Sequence, residues 1–311
     1  MARALTWRDL PALPRFHKQK MFLDNALRLT YNPGLFSSSL LSILTSSSGF
    51  CSVVEPIESK LYPYLIGQVV HTPDDQTARL SLLAPGDQDH RGFSNLLAFM
   101  STRIAEQGAL QIIAEVDKDS LEETILTRAG FRPYAEQQIW RLPRRFFYGT
   151  GKKAWAPITG SDAEQVISTY QRYVPIQVQR VEAPPEAKAL QGLISWKEGK
   201  LVGIALLSFG PTGILVDLVL DPDLTELDDY LGALFFHLPY RNSRDIYLRI
   251  RAYQQPIASV MERAGATVGP EQNAVVKKLA VHYNAKQTFR VQGFENQPDI
   301  TTPISNTKVK N

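Results

Sequence analysis

Asp217 interrupts the otherwise apolar run Ile214-Leu215-Val216-Asp217-Leu218-Val219-Leu220. Burying an unpaired carboxylate is costly, so this side chain must face a cleft or pair with a cation, and Arg249 or Arg251, on the strand expected to follow, is the candidate partner. Other chemistry is excluded by residue type and spacing. Cys51 is alone and there are five histidines, so no Cys/His set has metal-ligand spacing. Gly203, Gly210 and Gly213 do not form a dinucleotide fingerprint, and neither a Gly-x-Ser-x-Gly nucleophile elbow nor a Gly-Lys-Ser/Thr phosphate loop is present. Arg144-Arg145 beside Phe146-Phe147-Tyr148 imitates a nucleic-acid patch, but a strand opening the second half of the chain explains it more simply. The net charge of +3, from 34 basic and 31 acidic residues, is too small for a protein whose main partner is a nucleic acid backbone.

The elements that would carry such residues come from an internal repeat. The 311 residues, 44% hydrophobic and 21% charged, suit a globular protein of about two domains. Two strands close in Ala84-Pro85 and Asp221-Pro222, and two helices end in Arg128-Ala129-Gly130 and Arg263-Ala264-Gly265. The prolines are 137 positions apart and the glycines 135, so one α/β unit is repeated. The pattern predicts a hairpin turning at Lys197-Glu198-Gly199-Lys200, a buried strand over Ile214–Leu220, and a helix over 93–107 stopped by Gly108. It also predicts a strand over 110–116 and a helix capped at Asp119-Ser120 and stopped by Gly130. The serine-rich stretch 35–54, between Pro33 and Pro56, reads as buried helix and loop, not as a membrane span. The N-terminus becomes charged too early for a signal peptide, and with the lone cysteine this points to a reducing cytoplasm.

The order strand, Pro, glycine-bearing loop, helix, strand, polar cap, helix, Arg-Ala-Gly-Phe resembles the GNAT superfamily of acyl-CoA-dependent N-acyltransferases. The resemblance implies a mixed α/β sheet in two tandem copies: residues 1–142, a linker over 143–152, a second copy over 153–281, and a largely disordered tail over 282–311. It further implies acetyl-CoA or another acyl-CoA as cofactor and a small-molecule or peptide amine as acceptor; the charge balance and the serine-rich stretch point to no nucleic acid and no membrane, and a monomer or homodimer is expected.

The resemblance also assigns residues. A pyrophosphate would sit on the unpaired amides of a helix N-terminus, here in the loop Asp89-His90-Arg91-Gly92-Phe93-Ser94, where Arg91 and His90 assist and Asp89 opposes. The equivalent place in the second half, Asp223 to Gly232, carries acidic residues around the helix start, so only the first copy is expected to bind the cofactor. The family's pantetheine-contacting Asn corresponds to Asp119 and Gln254. Its proton-donating Tyr corresponds to Leu126 and Met261, which cannot donate. Glu115 is the candidate base, and a backbone N–H near Leu83 would hold the oxyanion. Two functions follow: an N-acyltransferase using the first copy, or a pseudoenzyme that keeps the fold to bind a ligand or protein.

Overall fold

Period-two apolar alternation sets the strands, and polar caps and glycines set the helix ends. A computed structural model describes residues 1–16, 18–31, 49–59, 61–72, 75–86, 91–143, 154–184, 191–241 and 243–279. In the first half the strands are β1 (Arg3–Ala4), β2 (Met21–Phe22), β3 (Phe50–Pro56), β4 (Tyr64–Val70), β5 (Thr77–Ala84), β6 (Gln111–Asp117) and β7 (Arg132–Arg141). A 3-10 segment (Trp7–Phe16) and helices α1 (Asn25–Thr30), α2 (Gly92–Glu106) and α3 (Leu121–Arg128) accompany them. The second half has β8 (Ala156–Pro157), β9 (Gly192–Lys197), β10 (Lys200–Phe209), β11 (Gly213–Leu220), β12 (Asp245–Arg251) and β13 (Thr267–Lys278). Its helices are α4 (Ala163–Tyr173), α5 (Ile176–Gln179), α6 (Leu227–His237) and α7 (Gln255–Arg263).

Local chemistry explains the ends. Ser120 caps α3 by accepting the Glu123 N–H at 3.2 Å. Gly108, Gly130 and Gly265, with φ of 101°, 92° and 74°, follow α2, α3 and α7. The β9–β10 hairpin turns through Glu198 and Gly199, whose φ values of 51° and 76° match a two-residue turn. One expectation needs correction: Phe50–Val54, read as the end of a buried helix and loop, is the core of β3. Its Val53 and Val54 are buried against different cores, as alternate faces of a strand require. Residues 32–48 of that stretch, the linker residues 144–153 and the tail from 280 lie outside the described residues.

The strands form one mixed sheet in the order β1-β3-β4-β5-β6-β13-β7-β12-β11-β10-β9-β8, with β2 paired to β5. Each half's last strand lies beyond its own neighbours. β13 pairs with β6 of the first half, and β7 pairs with β12 of the second. β7 and β13 also pair with each other. Residues 1–281 therefore make one compact unit. The hydrophobic cores follow the exchange: Val275 packs with Leu126 and Phe131, and Trp140 and Leu142 pack with Leu234 and Met261. Those cores lie under α2, α3, α6 and α7 on one face. On the other face, the 3-10 segment and α4 cover two smaller cores, around Phe16 and Tyr170. Between these two, the sheet carries polar side chains.

Candidate functional site

The first cleft opens where β5 and β6 part. They pair in parallel from Thr77↔Gln111 to Arg79↔Ile113, and the resemblance places acyl-CoA beyond that point. The chain's own residues occupy this wedge. Met21 and Phe22 pair with Leu83 and Leu82, the Leu23 N–H donates to Ser81 O at 3.0 Å, and the Glu115 N–H donates to Leu23 O at 2.8 Å. Residues 21–23 thus bond to β5 on one side and β6 on the other. Because Ser81 O takes the Leu23 N–H, antiparallel alternation gives the Leu83 N–H to Met21 O. The amide expected to hold an oxyanion is already bonded. Met21 and Leu23 are buried in the adjoining core, which is why this short apolar run enters the sheet.

The other expected residues are scattered or enclosed. Asp89 and His90 lie outside the described residues. Arg91 is exposed, already helical at φ −56° and ψ −26°, and makes no side-chain cap. Gly92 lies beneath other side chains: a Cβ there would be 2.9 Å from Leu65 Cδ1 and 3.6 Å from Glu55 Cγ. Phe93 is 1% exposed in the core, and Ser94 donates its N–H to Arg91 O at 3.3 Å. Asp119 takes a left-handed φ of 58°, and its N–H donates to Glu123 Oε2 at 2.8 Å. Glu115 is 7% exposed, ion-paired to Arg249 at 2.8 Å, and accepts the Asn25 N–H at 2.8 Å. Burial alone would raise its carboxyl, but Arg249, Arg251 and the hydrogen bonds from Asn25 and Gln137 outweigh burial and hold it below the usual range. A carboxylate so bound is a poor base.

The second cleft is closed by a different group. β11 and β12 pair as far as Asp217↔Arg249. Past that point the Gln254 side chain spans the gap, accepting the Arg251 N–H at 2.9 Å and donating to Leu218 O at 2.6 Å. At the start of α6, Asp228 pairs with Arg263 at 2.9 Å. Asp221 pairs with Lys200 at 2.6 Å and accepts the Tyr173 hydroxyl. Leu126 and Met261, at the positions of the family's tyrosine, are both fully buried.

Between the clefts, on the polar face, lies a network drawn from both halves. Arg249 donates Nη1 to Asp217 at 2.9 Å and is ion-paired to Glu115, so the carboxylate in the apolar run pairs with Arg249. Glu182 accepts from both Arg251 and the Tyr134 hydroxyl. Burial would raise Glu182, but Arg251 and Arg249 draw it down to about 2. Burial pushes Asp217 up against the pull of the same arginines. Asn25 Nδ2 donates to Gln272 Oε1 at 2.7 Å and Gln272 Nε2 to Asp117 Oδ1 at 2.8 Å. The sequence reading missed Glu182, Arg79 and the 21–24 segment. Arg79 alone left a signal, a cation amid the apolar residues of a strand. Among the described residues no Cys, His, Asp and Glu group is arranged to hold a metal ion, and no helix is long and apolar enough to cross a membrane.

The duplicated mixed sheet, with its two forked strand pairs, is the tandem GNAT acetyltransferase fold. Solved structures carry the comparison. A GCN5-related N-acetyltransferase from Sphaerobacter thermophilus matches 89% of this chain and 95% of its own at TM-score 0.52 and 14% identity. A tandem GNAT protein from the clavulanic acid biosynthesis pathway, solved without AcCoA, matches 89% and 98% at 0.51 and 14%. A putative acetyltransferase from Pyrococcus horikoshii matches 90% and 90% at 0.50 and 13%. No protein-family model and no curated protein matches the sequence. At such identity the likeness is one of fold. Among the described residues, main chain occupies the first cleft and an amide side chain ties the second.

Proposed function

We propose that this is a non-catalytic tandem GNAT-fold protein that binds a ligand or partner without transferring an acyl group. The observation that carries this reading is the Met21–Leu23 segment bonded between β5 and β6. Acyl transfer needs a free donor aimed at the developing oxyanion, and that donor is spent on Met21 O. It also needs a group to protonate the departing thiolate, and Leu126 and Met261 supply none. The lone Cys51 supports a reducing, cytoplasmic setting.

A second reading is favoured by the fold shared with acetyltransferases. In it β2, only two residues long, swings out, acetyl-CoA enters the first cleft, and the acyl group passes to an amine of a small molecule or peptide. Calorimetric titration with acetyl-CoA, followed by thiol release in the presence of an amine panel, separates the two. The non-catalytic reading expects no heat of binding and no thiol above the protein-free blank. Amine-dependent thiol release would establish the transferase.

A further inference from the structure

We infer that a cavity at the point where β12 leaves β7 holds the primary ammonium group of a small aliphatic amine, on acceptors supplied by Glu136 and Glu271. This names a ligand class for the binding function proposed above and rests on that reading. The cavity, of about 160 Å³, is lined by residues of both halves, from β7, β12, β13 and the start of α7. It lies on the β7 side of β12, whereas the second cleft lies on the β11 side. Its origin is a break in the repeat. At the end of β6, the Lys118 N–H donates to Glu271 O at 2.9 Å, one step past the last pair Asp117↔Gln272. The matching step past Arg251↔Gln137 would join Ala252 to Glu136. The Leu142 N–H donates to Ile246 O in this ladder, so alternation makes Ala252 and Glu136 a pair that should exchange bonds. Among the described residues no such bond forms, because the chain turns at Ala252 into the 3-10 turn Ala252–Gln254. The Glu136 carbonyl is left without a backbone donor on the cavity wall, and such a group needs a partner.

The side chains repeat the contrast. Lys118, the residue after β6, bonds Glu136 at 3.0 Å and Glu271 at 3.1 Å. Ala252, the residue after β12, stands in the equivalent place of the second copy and brings no charge. A single ammonium thus serves two carboxylates. Arg251 also borders the cavity but does not change the balance, since its charge is matched by Glu182. The cavity therefore keeps an excess of negative charge and three acceptors: the Glu136 carbonyl and the carboxylates of Glu136 and Glu271. A primary ammonium offers three N–H donors on a compact positive charge, and Coulomb attraction favours it over any anion. Ile250, Ala252 and Ala258 line the same cavity and give an apolar wall to a short carbon stem.

The test uses the full chain titrated with n-butylammonium chloride and followed by amide chemical shifts at Glu136, Ala252 and Ala258, against sodium chloride of equal ionic strength. Saturable shifts are expected with butylammonium, and none with tetramethylammonium, which has the charge but no N–H. The double change Glu136→Gln with Glu271→Gln should weaken binding at least about tenfold. Ala252→Lys, which supplies the missing ammonium from the chain itself, should do the same. All three positions are exposed, so each unliganded variant should melt within about 2 °C of wild type. No saturable shift with butylammonium would overturn the inference, as would undiminished binding in either variant or equal binding of tetramethylammonium. The underlying reading fails separately. Amine-dependent thiol release from acetyl-CoA with butylammonium binding at the cavity intact removes the non-catalytic reading and leaves the ammonium site, whereas neither thiol release nor binding does the reverse.

Discussion

The two halves fork their sheets at equivalent places and close the forks in different ways. In the first, residues 21–23 bond to both parted strands with main-chain groups. In the second, one side-chain amide, that of Gln254, reaches across. Parting two strands strands their N–H and C=O groups, and buried backbone groups must find partners. A bound ligand is one solution to that demand. Here the chain supplies its own in both copies, so a fork by itself does not mark a working cofactor site.

Five changes would sharpen or break this contrast, beginning with the largest. Arg249→Met removes the cation that joins Glu115 of one half to Asp217 of the other and leaves both carboxylates uncompensated. It should cost about 3–5 kcal/mol in urea unfolding and loosen both clefts together. Leu23→Ala empties a fully buried site beneath the first fork at a cost of about 2–4 kcal/mol. Amide exchange should then quicken at Ser81–Leu83 and stay unchanged at Leu218 and Arg251; equal quickening at both forks would mean that they are not closed independently.

Acid titration probes the network between the forks. Glu182 falls from an ordinary 4.5 to about 2 in the folded protein. A depressed carboxyl contributes stability above its unfolded pKa and loses it as pH falls through the folded value. Stability should therefore drop by on the order of 2–3 kcal/mol between about pH 4.5 and 2, and Glu182→Gln should flatten that part of the curve. Gln254→Leu, which leaves Leu218 O and the Arg251 N–H without partners, should cost about 1–3 kcal/mol and quicken exchange only at the second fork. Gly92→Ala should be smallest, within about 1 kcal/mol by denaturant unfolding: helix propensity favours Ala, while the Leu65 methyl must yield to the new Cβ.

Much of the architecture was legible because local signals agree with the fold. The hairpin at Glu198-Gly199, the caps at Ser120 and Gly130, and the strand around Asp217 all occur where turn chemistry and periodicity place them. The exchange of β7 and β13 was not legible. A final strand has the same alternation whether it pairs at home or in the other half, and only the three-dimensional register distinguishes these. The plug was hidden for a similar reason: Met21-Phe22-Leu23 is too short to show a period, and its place is set by the gap it fills. Counting back from Gly265 found Gln254 but not its role, since an amide that would meet a pantetheine arm also suits two parted backbones. Glu115 was legible as a carboxylate on a strand, whereas its partner Arg249 comes from the other half.

Hydrogen exchange at the Leu23 and Leu83 amides, with and without acetyl-CoA, tests the closed first fork most directly. Closure predicts that both exchange as slowly as the core of β4 and that acetyl-CoA changes neither. Rapid exchange at Leu83 that slows when acetyl-CoA is added would contradict it, because the amide would then be free for the cofactor and the strand beside it only a transient visitor.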